Sequence, residues 1–137
     1  MQLNTLVAIA LAVFSLSAFA GSADSLDPKY QFDGLERVER FQNWSIDGWY
    51  PVDKQSLIVR TSPSTAYLLI LDRKLHDLRF SNGIAISSTG NTVHERFDTV
   101  RTRGRHTISI PVHIAKIYKL KGKAERKLVR AQIRGAG

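Results

Sequence analysis

His94-Glu95-Arg96-Phe97-Asp98 brings an imidazole, two carboxylates and a guanidinium within five consecutive positions. These groups could serve a hydrolase: the histidine as proton acceptor, a carboxylate to orient it, the arginine to hold a developing negative charge. The spacing argues for something plainer. In a strand the side chains alternate, so His94, Arg96 and Asp98 share a polar, solvent-facing side while Glu95 falls on the other with Val93 and Phe97. Neighbours two apart lie about 6.5–7 Å from each other, too far for a direct hydrogen bond between nucleophile and base. The expectation is an exposed charge ladder worth about 0–1 kcal/mol, with Phe97 facing inward and Asp98 tied to Arg96 and a neighbouring strand. Glu95, on the apolar parity, implies a bulge that turns it outward.

Other chemistries have less support. No G-x-S-x-G segment is present to hold a strained nucleophile, and Ser62, Ser87 and Ser88 read as turn and strand serines. The chain has no cysteine, which excludes thiol chemistry. His76, His94, His106 and His113 are dispersed along the sequence, and His94-Glu95 lacks the second histidine of H-E-x-x-H. The remaining enzymatic alternative is a small hydrolase or metal-dependent enzyme in which His94, Asp98 and another histidine converge in space. Neither a cofactor nor a metal site is expected.

Charge points to a different function. Residues 1–100 carry nine Lys or Arg against eleven Asp or Glu, whereas residues 101–137 carry eleven against one, so the formal charge of +8 belongs to the C-terminal quarter. Lys121, Lys123, Arg126, Lys127, Arg130 and Arg134 are the candidate binding residues, with Lys116 and Lys119 preceding them. Arg126, Arg130 and Arg134 recur at helical spacing along one stripe. Such a stripe suits an anionic envelope surface or an acidic glycan, and nucleic acid is not expected of an exported protein. The opposing apolar face of Leu128, Val129 and Ile133 is narrow, which allows peripheral membrane contact more readily than insertion. A solvated, partly frayed tail is the competing reading. Trp44, Trp49, Tyr50 and Tyr67 could form a stacking platform for a sugar or peptide, although large aromatics in a small β domain usually fill the core.

The elements that must position these groups are mostly strands. Ser56–Thr61 and Ala66–Leu71 are short apolar runs around Ser62-Pro63-Ser64 and read as a central hairpin. Trp44–Ile46 and Trp49–Val52 flank Asp47-Gly48, a second hairpin signal. Gly83–Ser88 and Val93–Phe97 flank Thr89–Thr92 as a third. Thr107–Ile110 alternates, with Ile108 and Ile110 expected inward, until Pro111 interrupts the ladder. Ile114–Leu120 resumes the apolar pattern, Lys121-Gly122-Lys123 breaks it, and Ala124–Arg134 reads as a helix closed by Gly135. Leu35–Phe41 is either a short helix or the approach to the first strand. The class is therefore mainly β, a small antiparallel barrel or sandwich with a short N-terminal helix or turn and a possible C-terminal helix.

The N-terminus suggests destination. An uncharged apolar run of about eleven residues, Leu6–Leu16, leads to Ala18-Phe19-Ala20, the layout of a secretory signal peptide cleaved after Ala20, or after Ala23. The run is short of the roughly 20 apolar residues that span a bilayer. Removing residues 1–20 leaves a flexible lead over 21–34, a single β domain over 35–120 and a basic tail or helix over 121–137. A domain of that size must be held by its apolar core, having no disulfide, which favours a periplasmic or secreted bacterial protein.

The series LIVRT, AYLLILD, LRFSNGIAIS, V-x-x-RFDTV and IAKIYKL, covering residues 35 to 120, resembles a domain-of-unknown-function family of small exported proteobacterial proteins. The resemblance implies export and a compact β domain and brings no activity. It also implies a cysteine pair in many members; here His76 and His106 stand near the corresponding places. The expected role is an exported, non-catalytic binding or envelope-associated module whose basic C-terminal segment meets an anionic partner: lipid, lipopolysaccharide or glycan. Another envelope protein is the remaining partner class.

Overall fold

The computed structural model describes residues 26–104 and 109–135. The signal peptide expected over 1–20 lies outside them, as do His106, Thr107 and Ile108. Among the described residues, nine strands and one α-helix follow in order: β1 (Glu36–Val38), β2 (Arg40–Gln42), β3 (Gly48–Asp53), β4 (Ser56–Arg60), β5 (Thr65–Leu71), β6 (Gly83–Ile86), β7 (Thr92–His94), β8 (Thr99–Arg103), β9 (Val112–Lys121) and α1 (Gly122–Gly135). The class is mainly β, with a curled antiparallel half-barrel sheet.

The sheet runs β3-β4-β5-β9-β8-β6. The ten-residue β9 organises it: one edge pairs with β5 along its length, while the other is shared by β8 near Val112 and β1 near Ile117. β2 and β7 form a separate two-stranded ladder.

Both faces of β4 and β5 are buried, which explains their continuous apolar runs. Leu57, Val59, Leu69 and Leu71 pack on one side with Phe41, Val93, Leu75, Leu78 and Val100. Ile58, Leu68 and Ile70 pack on the other with Tyr118, Leu120, Val129 and Ile133. Each such side chain, fully buried, contributes about 1.5–3 kcal/mol. A bulge lets β9 serve both faces. Ile70 lies opposite Lys116 and Leu71 opposite Ile114, so Ala115 is the extra residue, and Ile114 and Ile117 join the same cluster despite their odd spacing.

The central hairpin of β4 and β5 forms as expected. The preceding one does not form around Asp47-Gly48. Residues 43–47 lie outside any strand, and β3 instead turns into β4 at Lys54-Gln55, where the Asp53 carboxylate accepts hydrogen bonds from the Gln55 amide (2.9 Å) and the Ser56 hydroxyl (2.6 Å). This Asx turn satisfies the reversing backbone locally, a signal as legible as Asp-Gly but lacking glycine. Nor do Gly83–Ser88 and Val93–Phe97 pair with each other: β6 pairs with β8 and β7 with β2, because β9 draws β8 into the main sheet. Ile110, expected inward, is 71% exposed, since Ser109–Pro111 precede the strand. Leu35–Phe41 provides β1 and β2 rather than a helix. The stretch expected as a flexible lead contributes Tyr30 and Phe32 to the core beneath α1, entered through a 3-10 turn at Pro28–Tyr30.

α1 begins at Gly122, whose φ of 83° favours glycine and permits the abrupt change from strand to helix. Glu125 reaches back to accept the Lys121 backbone N–H (3.0 Å) and places a negative charge at the positive end of the helix dipole.

Candidate functional site

β7 ends at His94, and Glu95–Phe97 form a turn. Arg96 adopts φ 66°, its N–H donates to the Ile114 carbonyl, and the Asp98 N–H donates to the His94 carbonyl (3.0 Å). The turn reverses the expected alternation: Phe97 is 69% exposed and Asp98 only 2%. A strand-based reading fails here because period two holds only while the backbone is extended. Asp98 is tied, but not to Arg96. Its Oδ1 accepts from Ser87 Oγ (2.7 Å) and its Oδ2 from the His94 backbone N–H (2.6 Å). Ser87 Oγ in turn accepts the Thr99 N–H (2.8 Å). Glu95, expected to turn outward, keeps only 11% of its side chain exposed and is gripped by Arg37 through paired contacts of 3.0 Å.

This order of groups limits the chemistry. In a serine hydrolase the imidazole lies between hydroxyl and carboxylate; here the carboxylate lies between Ser87 and His94. Ser87 gives its proton to a carboxylate already engaged in bracing a turn. His94 Nδ1 is buried 3.5 Å from Asp98 Oδ2 and makes no hydrogen bond. Among the described residues the other two histidines do not join the pair: His76 lines a separate cleft with Arg73, Lys74, Asp77 and Ile110, and exposed His113 pairs with Thr99, out of step with the buried Val100–Val112 pair. No group of three or more His, Cys, Asp or Glu among the described residues could hold a metal ion.

The basic segment divides by helical phase. Val129 and Ile133 are buried against the sheet and fix the helix. The Arg126, Arg130 and Arg134 stripe does not all face solvent, as helical spacing alone suggested. Arg130 lies over the Tyr50 ring at 5.6 Å, and Arg134 donates to the Val52 (3.2 Å) and Pro51 (3.4 Å) carbonyls of edge strand β3. Lys121 pairs with Glu36 (3.4 Å). Lys123 and Lys127, one turn apart, are exposed, and neither they nor half-buried Arg126 forms an ion pair among the described residues. The outward basic face is thus centred on Lys123 and Lys127.

The four aromatics form no shared platform. Trp44 is 76% exposed, Tyr67 stacks on Phe41 at 4.5 Å, and Trp49 and Tyr50 pack against opposite faces of the sheet. Burial, followed by the nearby Glu36 charge, raises the Tyr67 pKa above the ordinary phenol value.

The model of a family of unknown function, DUF6491, matches residues 2–136. The chain belongs to this family. No curated protein and no solved structure matches it. In this DUF6491 chain, LIVRT and AYLLILD form the central hairpin, RFDTV the turn braced by Asp98, and IAKIYKL the organising strand β9.

Two features of the family member escaped the sequence reading. One is a polar junction that fastens the N-terminal stretch to the sheet. Tyr30 donates to Asp53 Oδ2 (2.6 Å) and Lys29 Nζ lies 3.3 Å from it. Burial, then the Asp53 hydrogen bond and charge, push the Tyr30 pKa far above the ordinary value. Burial also pushes Asp53 up, but hydrogen bonds from Ser56, Tyr30, the Gln55 amide and Lys29 outweigh it and hold Asp53 below the usual carboxylate value. The other is a pair of exposed apolar side chains, Phe80 and Ile110, beside exposed cations. Separation in sequence conceals both.

Proposed function

We propose that this DUF6491 chain is an exported, non-catalytic binding module that meets an anionic envelope component through its basic C-terminal segment. The supporting observation is the docking of α1. Burial of Val129 and Ile133 and the hold of Arg130 and Arg134 on β3 present Lys123, Lys127 and the edge of Arg126 at set positions. Cations held in advance lose less freedom on meeting phosphates or carboxylates than cations on a loose tail. Each contributes about 1 kcal/mol near an anionic surface, falling as salt screens it. Lys123→Glu with Lys127→Glu should weaken sedimentation with phosphatidylglycerol vesicles or lipopolysaccharide at least tenfold, leaving the melting temperature unchanged. Equal sedimentation of variant and wild type, insensitive to salt, would sink the proposal. Export has its own test: a periplasmic or extracellular form beginning at Gly21 or Asp24 supports it, and an uncleaved cytoplasmic form overturns it.

The 3.5 Å approach of His94 to Asp98 favours one alternative, a small hydrolase. It requires ester or phosphate turnover that disappears in His94→Ala, and it lacks an activated nucleophile because Ser87 donates to Asp98.

A further inference from the structure

The loop joining β5 to β6 and the approach to β9 meet at one end of the sheet. The Leu75 N–H donates to the Lys54 carbonyl (2.8 Å), the Thr102 N–H to Ser109 Oγ (3.1 Å), and Asp77 lines two clefts there. Leu75 and Leu78 are buried and anchor the loop, and the 3-10 turn at Leu78–Phe80 then carries Phe80 out to 84% exposure. Ile110, across the shared Asp77, is 71% exposed. Exposed Arg73, Lys74, Arg79 and Arg103 belong to the same end. Its carboxylates are Asp72, 3.8 Å from Arg73, Asp77, which accepts from the Thr102 hydroxyl at 3.5 Å, and Asp53 beside Lys54, which is already held by Lys29 and Tyr30, so cations remain in excess.

Single exposed apolar residues are ordinary. This end places two large ones, one on the turn at Leu78–Phe80 and one on the Ser109–Pro111 segment, among cations. A partner that fits must be apolar where the two tips reach and anionic immediately around them. The boundary between headgroups and acyl chains of an anionic bilayer has that layering.

We propose that this end of the molecule docks on an anionic bilayer, with Phe80 and Ile110 entering the headgroup–acyl boundary and Arg79, Arg103 and Lys74 meeting lipid phosphates. Lys123, at the start of α1, lies far from this surface. The Gly122 N–H donates to the Ser64 carbonyl beside Thr65, so Lys123 belongs to that end of β5, whereas the loop leaves β5 at Leu71, about 20 Å away.

Because the chain has no cysteine, Asn82→Cys gives a single labelling position two residues from Phe80. With an environment-sensitive dye there, vesicles of phosphatidylcholine and phosphatidylglycerol should shift emission to the blue, and brominated acyl chains should quench it; phosphatidylcholine alone should do neither. Phe80→Ser with Ile110→Ser should weaken partitioning at least tenfold with an unchanged melting temperature, and Arg79→Ala or Arg103→Ala about fivefold each. A dye that stays in water on anionic vesicles overturns the proposal. So does a double serine variant that partitions like wild type while Lys123→Glu/Lys127→Glu does not, a result that leaves the helix reading standing. A blue shift that grows with protein concentration in the absence of vesicles assigns the surface to self-association and also overturns it.

Discussion

Replacing Asp98 with alanine tests whether the His94–Asp98 stretch braces the fold. The carboxylate is 2% exposed and accepts from Ser87 Oγ at 2.7 Å and the His94 N–H at 2.6 Å. A hydrogen bond to an ionised acceptor contributes about 1.5–3 kcal/mol. Ser87 is exposed and its hydroxyl can turn to water, so its share belongs at or below the lower end of that range. The His94 amide, inside the turn, has no such recourse. Asp98→Ala should therefore cost about 3 kcal/mol, a large part of the roughly 5–15 kcal/mol that holds a domain together. The melting temperature should fall by roughly 10–20 °C. Asp98→Asn keeps one acceptor and should cost about half as much. In urea unfolding the midpoint should drop while the slope stays constant, since the buried surface is unchanged. Ser87→Ala should cost about 1 kcal/mol alone and less in the Asp98→Ala background, where only its bond from the Thr99 N–H remains to be lost. An Asp98→Ala stability within about 0.5 kcal/mol of wild type, or additive losses in the double variant, would refute the brace.

Acid should loosen the junction at Asp53. Its folded pKa lies below the ordinary value, so the fold favours the carboxylate, and that stabilisation is present above about pH 4 and lost as pH falls through the folded value. Urea unfolding at pH 3 and pH 6 should show a smaller difference for Asp53→Asn than for wild type; equal differences contradict the assignment. Ile133→Ala, which empties a site in the cluster of Ile58, Leu68 and Ile70 beneath α1, should cost about 2–4 kcal/mol by denaturant midpoint. A loss below about 1 kcal/mol would mean that α1 is a loose appendage.

Much of the fold was legible because β4 and β5 are apolar on both parities and bounded by turn formers, and because the Gly122 break marks the start of a C-terminal helix, although its docking through Val129 and Ile133 was not. Pairing was less legible. Nothing in the local pattern of β6, β7 and β8 says which strand receives which, since every edge offers the same backbone donors and acceptors. The ten-residue β9 settled that by taking β8 on one edge and β5 on the other.

The candidate site divides along the same line. Composition determined that the excess positive charge lies after residue 100 and that thiol chemistry is excluded. Tertiary structure decided which cations face outward. Burial of Val129 and Ile133 sets the phase of α1, which turns Arg130 and Arg134 onto β3 and leaves Lys123 and Lys127 toward solvent. It also decided the fate of the charged cluster at 94–98. Five residues carry no record of whether they are extended or turned. Once Arg96 takes a positive φ, the alternation ends, Asp98 goes inside as a brace and Phe97 goes outside.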